Sequence, residues 1–356
     1  MDNSLQDYLN VVKPHLPEVI VSRQTLASLE KLANLLPIGS MILLESRLAD
    51  NQPRIDLSLG FGPTRLFPSD ALIASLFWQK IQLFSEIWTT KGSIINQNIE
   101  DIWLEFDLDQ ETDILTIPCY FLTIKEAIFK NQNPKIVVEK ILKLMSALNL
   151  QSFTDTQIKL LEKCLNSLPT SAKIVQLGSM LTRNSKPLRV NIQGLSGSQI
   201  TDYLATITDQ AIDENLLEII SIFEVFTDRI VLTFDLETDT IGTRIGLECF
   251  LEKQVKKEPR WTQFLDHLVK IECCTLEKRN ALLNWPGLIQ KKDHQHLWPE
   301  NLTRLEPWMN QDIKSVFFRT INHLKLVYQP NIPLEAKAYL GFGHRWFDCS
   351  KSLPVE

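Results

Sequence analysis

The chain has 356 residues, 44% of them hydrophobic and 22% charged, with a formal net charge of −6. That composition can bury a sizeable core, and its acidic balance excludes a general nucleic-acid binder, which needs a basic surface. The start, Met1 to Val12, has no basic stretch followed by an apolar run, and no segment reaches the roughly 18 apolar residues of a membrane-spanning helix. The six cysteines form no Cys-x-x-Cys pair, so neither a zinc site nor a disulfide framework is indicated and the expected compartment is the cytoplasm.

In chain order, helices are expected over roughly 3–12 and 22–36, followed by a strand pair at Met41–Leu48 and Arg54–Phe61. Ser69 or Asp70 is placed to cap a helix through about Trp88, with Leu72, Leu76, Leu83 and Ile87 among its apolar positions. The second strand pair is Ile102–Leu108 and Ile114–Leu122. Pro134 suits the first position of a helix, and Thr154 with Gln157 forms a capping box for the next. The third pair is Lys173–Leu181 and Leu188–Leu195, with Arg183-Asn184-Ser185-Lys186 as its turn. Helices over Gly197–Ile207 and Asn215–Phe223 precede the fourth pair, Arg229–Leu236 and Thr243–Leu251. Helices over Trp261–Ile271, Leu276–Asn284 and Gln311–Phe318 precede the fifth, Asn322–Tyr328 and Glu335–Phe342. Residues 285–310, rich in Pro, Trp and His with little periodicity, read as an irregular loop and a candidate cover.

The pairs resemble one another, as an internal duplication would. The segment from Ile102, IWLEFDLDQETDILTIPCYFL, parallels IVLTFDLETDTIGTRIGLECFL from Ile230. Gly39-Ser40-Met41 parallels Gly178-Ser179-Met180, and Leu59-Gly60-Phe61-Gly62 recurs as Leu340-Gly341-Phe342-Gly343. The expectation is an α+β chain, residues 1–356 forming a single domain of five repeated hairpin-plus-helix-pair units.

Alternation gives the strands an apolar and a polar face. Ile55, Leu57, Leu59 and Phe61 oppose Arg54, Asp56 and Ser58; Leu324 and Leu326 oppose His323 and Lys325. In an open sheet the polar faces meet solvent. In a closed ten-stranded barrel they converge on a lumen holding Arg54, Arg189, Arg244, Lys325 and Lys337, with Glu45, Asp56, Glu105 and Glu248 as acids and Trp103, Phe250 and Tyr339 as aromatic walls. Alternation alone leaves both arrangements open.

Five consecutive ββ units with two helices between them resemble the plan of the ABBA, or PT-barrel, prenyltransferases. Arg54-Ile55-Asp56-Leu57-Ser58 looks like the segment where the dimethylallyl-tryptophan-synthase branch places an acid to receive the indole N–H proton. Lys337-Ala338-Tyr339 looks like its recurrent Lys-x-Tyr strand motif. Arg189-Val190-Asn191 lacks the Tyr, and Arg244-Ile245-Gly246 lacks both the Lys and the Tyr. The resemblance implies a ten-stranded antiparallel barrel ringed by helices. It implies transfer of an allylic group from a prenyl diphosphate to an aromatic acceptor, such as an indole, a phenol or a peptide side chain, in specialised metabolism. Arg54, Arg189, Arg244, Lys325 and Lys337 would bind diphosphate, Tyr339 and Trp103 would shield the cation, and Asp56 would be the base. No cofactor is required by this resemblance, although Mg²⁺ is compatible with it. The alternative is a non-catalytic module binding a peptide, a lipid or a partner protein on a duplicated antiparallel sheet.

Other constellations are weaker. Asp107, Asp109, Glu111 and Asp113 cluster at one hairpin tip and Asp235, Glu237 and Asp239 at another, but acidic turns are ordinarily solvated and no metal site is expected. Gly60-Phe61-Gly62-Pro63 is not a dinucleotide fingerprint, and neither a Walker A nor a G-x-S-x-G motif occurs.

Overall fold

The computed structural model describes residues 4–49, 53–66, 69–108, 117–129, 133–146, 148, 152–183 and 185–350. Its strands are β1 (Met41–Arg47), β2 (Ile55–Phe61), β3 (Ile99–Phe106), β4 (Cys119–Ile124), β5 (Lys173–Ser179), β6 (Leu188–Gln193), β7 (Arg229–Leu236), β8 (Ile241–Phe250), β9 (Gly287–Gln290), β10 (Ile313–Gln329) and β11 (Ile332–Asp348). They form one antiparallel sheet in the order β11-β1-β2-β3-β4-β5-β6-β7-β8-β10-β9, and β10 also pairs with β11. Ten strands therefore close on themselves, with β9 appended to the free edge of β10. Closure satisfies the backbone groups that an open sheet would leave on two edges.

Helices occupy the connections in pairs. Pro134–Ser146 and Asp155–Asn166 join β4 to β5, Gly197–Thr208 and Glu214–Glu224 join β6 to β7, and Arg260–Lys270 and Leu276–Asn284 follow β8. Leu5–Val12 and Arg23–Ala33 precede β1. The core lies between these helices and the outer face of the barrel. Ile55, Leu57 and Leu59, Val190 and Ile192, and Leu324 and Leu326 are all fully buried there. Trp78 stacks on Phe106 with ring centroids 6.3 Å apart, and the Trp88 indole N–H donates to the Ile99 carbonyl at 3.1 Å. Pro134 opens its helix as expected, and the Thr154–Gln157 capping box forms with both reciprocal bonds. Among the described residues no helix is long and apolar enough to cross a membrane.

Three local expectations fail. The helix expected from residue 69 or 70 through Trp88 breaks into Asp70–Ile73 and Leu76–Thr89. Its buried stripe is Phe77, Trp78, Ile81, Phe84 and Trp88, leaving Leu76, Leu83 and Ile87 exposed, because the larger aromatic side chains bury more surface against the sheet. Gln311–Phe318 does not form a helix. Ile313 begins a 17-residue strand instead, since β9 on one side and β11 on the other supply a ladder that outweighs local helical patterning. On the return side of the second hairpin Ile117 and Pro118, expected in the strand, lie ahead of β4, which starts at Cys119; residues 114–116, Asp109, Glu111 and Asp113 at its tip, and Asn184 in the third turn, lie outside the described residues.

The long β10–β11 hairpin runs past the barrel rim, and residues 285–310 pack on this extension. The Trp298 indole N–H donates to Ser315 Oγ at 3.0 Å, and Ser315 Oγ meets His344 Nε2 at 2.9 Å. Tyr8 and Trp298 set their rings edge-on to Phe317. The segment carries β9 and the short helix Glu300–Leu305, so it is built of small elements rather than being structureless.

Candidate active site

Because the side-chain period of a strand is two, burying the apolar set outside sends the polar set inward. Two adjoining cavities occupy the lumen. The larger, of about 310 Å³, lies toward the rim where the helices enter and is lined by Met41, Leu43, Trp103, Phe121, Val231, Phe250, His323 and Tyr339 with several amides. The smaller, of about 30 Å³, lies toward the hairpin tips and is lined by Glu45, Arg47, Asp56, Asp107, Arg183, Arg244 and Lys337. Glu105, Arg189, Lys325 and Tyr339 line both and form the boundary. Met41, 41% exposed, marks the open end of the larger cavity.

Strand register sets the charged zone. Arg189 faces Asp235 across β6–β7 and forms a two-pronged pair, Nε to Oδ1 at 2.8 Å and Nη2 to Oδ2 at 2.9 Å. Lys325 faces Glu248 across β10–β8 and donates to it at 3.0 Å. Tyr339 faces Glu45 across β11–β1; its hydroxyl and the Lys337 ammonium both donate to that carboxylate. Arg244 donates to Glu335 at 2.9 Å. Asp56 accepts from the Leu108 N–H at 3.0 Å and lies 3.5 Å from Arg47. Burial raises the Glu45 carboxyl, but the Lys337 charge and the two hydrogen bonds outweigh it and hold the group far below the usual carboxylate range. Asp235 is likewise held low, burial being outweighed by Arg189. Glu105 behaves oppositely. Burial and the nearby Glu45 charge push it up to about 7, and it makes no hydrogen bond or ion pair among the described residues.

The aromatic zone is held by cross-strand contacts. Trp103 lies over Gly60 and Phe121 over Gly178, each on the neighbouring strand at the paired position. A Cβ at Gly178 would sit 2.2 Å from the Phe121 ring. Gly178→Val is therefore expected to drive Phe121 off the wall and into the cavity, at about 1–3 kcal/mol. Urea unfolding monitored by near-ultraviolet circular dichroism would show lower stability with a changed aromatic signal. On the opposite wall His323 is sandwiched between Phe250, with centroids 4.6 Å apart, and Tyr339, at 4.1 Å. Burial pushes the imidazole down to about 4, so it is neutral at physiological pH.

Of the residues expected at the site, Asp56, Arg189, Arg244, Lys325, Lys337, Tyr339 and Trp103 all line the lumen. Arg54 stands one residue ahead of β2, half-buried, and lines neither cavity. Sequence reading missed Arg47, Phe121 and Asn322. Asn322 reaches the lumen beside His323 because a bulge between Ile321 and His323 interrupts alternation, and a bulge between Ile174 and Gln176 brings in both Val175 and Gln176. Arg47 and Phe121 were legible from parity alone, as each is two residues from another lumen residue, Glu45 and Thr123 respectively. No cluster of metal-ligating side chains occurs among the described residues.

Ten antiparallel strands close around a polar lumen, and pairs of helices ring them outside. The fold is a PT-barrel. No protein-family model matches the chain, and no curated protein matches it. Solved structures similar over most of their length include the prenyltransferase PriB in its apo form, at 11% identity and a TM-score of 0.49, covering 95% of this chain and 96% of that one. The 5-dimethylallyltryptophan synthase of Streptomyces coelicolor shares 12% identity at a TM-score of 0.46, covering 96% of this chain and 98% of that one. Its complex with DMASPP and Trp shares 11% identity at a TM-score of 0.48, covering 96% and 95%. At such identities these likenesses concern the shape of the PT-barrel alone.

Proposed function

We propose that this protein is a prenyltransferase moving an allylic group from a diphosphate to an aromatic acceptor inside the barrel. The observation that carries this reading is the division of one lumen into an aromatic chamber and an adjoining cluster of Arg and Lys. Ionising an allylic diphosphate concentrates negative charge on the leaving group. Arg189, Arg244, Lys325 and Lys337, joined by Arg47, are fixed where that charge would develop. The allyl cation would form near the boundary, against Tyr339 and Trp103, whose ring faces favour positive charge. Asp56, the base that the resemblance implies, lines the charged cavity and not the aromatic chamber.

A specific observation favours a second reading, a non-catalytic binding module. Arg189, Arg244, Lys325 and Lys337 are each already paired with a carboxylate, and the charged cavity has room for roughly two waters. A diphosphate entering there must open those pairs.

Incubation with dimethylallyl or geranyl diphosphate, with and without Mg²⁺, and with indole, a phenol and a Trp- or Tyr-containing peptide separates the two. Prenyl transfer is read as pyrophosphate release with an acceptor of increased mass. A non-hydrolysable donor at ~100 times its dissociation constant should add about 2.7 kcal/mol to stability, and Lys337→Ala with Arg189→Ala should remove that gain. Neither transfer nor stabilisation with any donor would favour the binding module.

A further inference from the structure

We propose that Glu105 takes the proton lost from the aromatic acceptor, a role that the family resemblance implied for Asp56. The inference rests on the prenyl-transfer reading. Its argument begins with place. Glu105 projects from β3 at the boundary of the two cavities, beside Trp103 on the same strand face and opposite Ser58 on β2. An acceptor in the aromatic chamber meets two carboxyl groups, Glu105 and Glu248. Glu248 is engaged by Lys325 at 3.0 Å. Asp56 lines only the charged cavity and is committed to the Leu108 N–H and to Arg47. Glu105 has neither a hydrogen bond nor an ion pair among the described residues, so its oxygens are free to accept one.

The charge surroundings suit the task. The groups that act on Glu105 are Glu45 on β1, Arg189 on β6, Lys325 on β10 and Lys337 on β11, and it in turn acts on Tyr339 and on Cys119 of β4. Burial and Glu45 outweigh the three cations and set the group near 7. A base is most effective when its pKa lies close to the working pH, since it is then both unprotonated and able to hold a proton. Asp235 and Glu248, held low by their partners, are weaker bases.

The step balances without a further reactant. The allylic C–O bond breaks and its electron pair leaves with the diphosphate. The acceptor's π electrons, or a ring heteroatom lone pair, form the new bond to the allylic carbon. The proton then leaves the ring carbon, N–H or O–H for a Glu105 oxygen, which releases it to water through the open end.

The test compares wild type, Glu105→Gln and Glu105→Asp with dimethylallyl diphosphate and the acceptors above, measuring prenyl transfer and, separately, hydrolysis of the donor to its alcohol. Glu105→Gln is expected to lower kcat for transfer about 100-fold or more, with donor hydrolysis and the donor's KM little changed. Glu105→Asp should recover part of kcat. The wild-type profile should lose activity as pH falls through about 7, and that limb should vanish in Glu105→Gln but persist in Asp56→Asn. Transfer by Glu105→Gln within severalfold of wild type, or an unchanged acid limb, overturns the assignment while donor turnover still upholds the prenyl-transfer reading. A wild type that neither transfers nor hydrolyses any donor overturns both.

Discussion

Lys337→Met is expected to cost about 3–5 kcal/mol of folding stability at neutral pH, the range for removing one partner of a buried ion pair. Glu45 is 4% exposed and Lys337 9%, so the carboxylate left without its cation would keep the Tyr339 hydroxyl as its hydrogen-bond donor in a nearly buried position. In the wild type Glu45 sits far below its unfolded value because Lys337, with Tyr339, outweighs the burial that would raise it. Its contribution is therefore present above the unfolded pKa and disappears only as pH falls through the depressed folded one. With Lys337 gone, burial is expected to outweigh the remaining Tyr339 hydrogen bond and Lys325 charge, and the sign reverses. The folded pKa then exceeds the unfolded value, and stability is lost as pH rises above the ordinary carboxylate range. Urea unfolding at pH 5 and pH 8 should accordingly show a larger deficit at pH 8. Glu45→Gln in the Lys337→Met background should return part of the loss by removing the stranded charge. A deficit under about 1 kcal/mol, equal at both pH values, would mean that water or another cation serves Glu45.

The second large effect concerns Arg189 and has opposite signs in two variants. Arg189→Met should weaken binding of inorganic pyrophosphate by about 10- to 100-fold, as the loss of a charge-assisted hydrogen bond of roughly 1.5–3 kcal/mol implies. Asp235→Asn should strengthen it. Both prongs of the guanidinium are committed to Asp235, so a diphosphate must compete with a carboxylate that is already aligned. Neutralising Asp235 leaves the cation in place and removes its competitor. Titration calorimetry with pyrophosphate reads both changes directly. Equal weakening in the two variants would make the pair a strut of the barrel wall rather than part of an anion site.

Both predictions depend on which strand stands beside which. That Glu45 and Tyr339 are neighbours follows from β1 pairing with β11, the two ends of the barrel sequence, some 290 residues apart in the chain. No local pattern announces it. The boundaries of β10 were hidden for the same reason. Residues 313–320 pair with β9 and β11, and the helical spacing of Ile313, Val316 and Phe317 gave way to those partners. The Leu76, Leu83 and Ile87 face was misread because several faces of that helix carry apolar residues, and the sheet took the one bearing Trp78, Phe84 and Trp88.

The amino-acid order alone determined the strand-and-helix alternation and the parity of each strand. Ile55, Leu57 and Leu59 could only share one face, and Asp56 and Ser58 the other, because a pleated strand alternates its side chains. It likewise marked the capping box at Thr154 and the lumenal set of Arg189, Arg244, Lys325, Lys337 and Tyr339. Closure belonged to the tertiary structure, since alternation is identical in an open sheet and only the β10–β11–β1 pairing turns the polar faces inward. So did the difference between Asp56 and Glu105. Both are acids on lumenal strand faces, but folding brings Arg47 and the Leu108 N–H to one and no partner among the described residues to the other. A carboxyl's chemistry is set by what surrounds it in space, and its neighbours here come from strands distant in the chain.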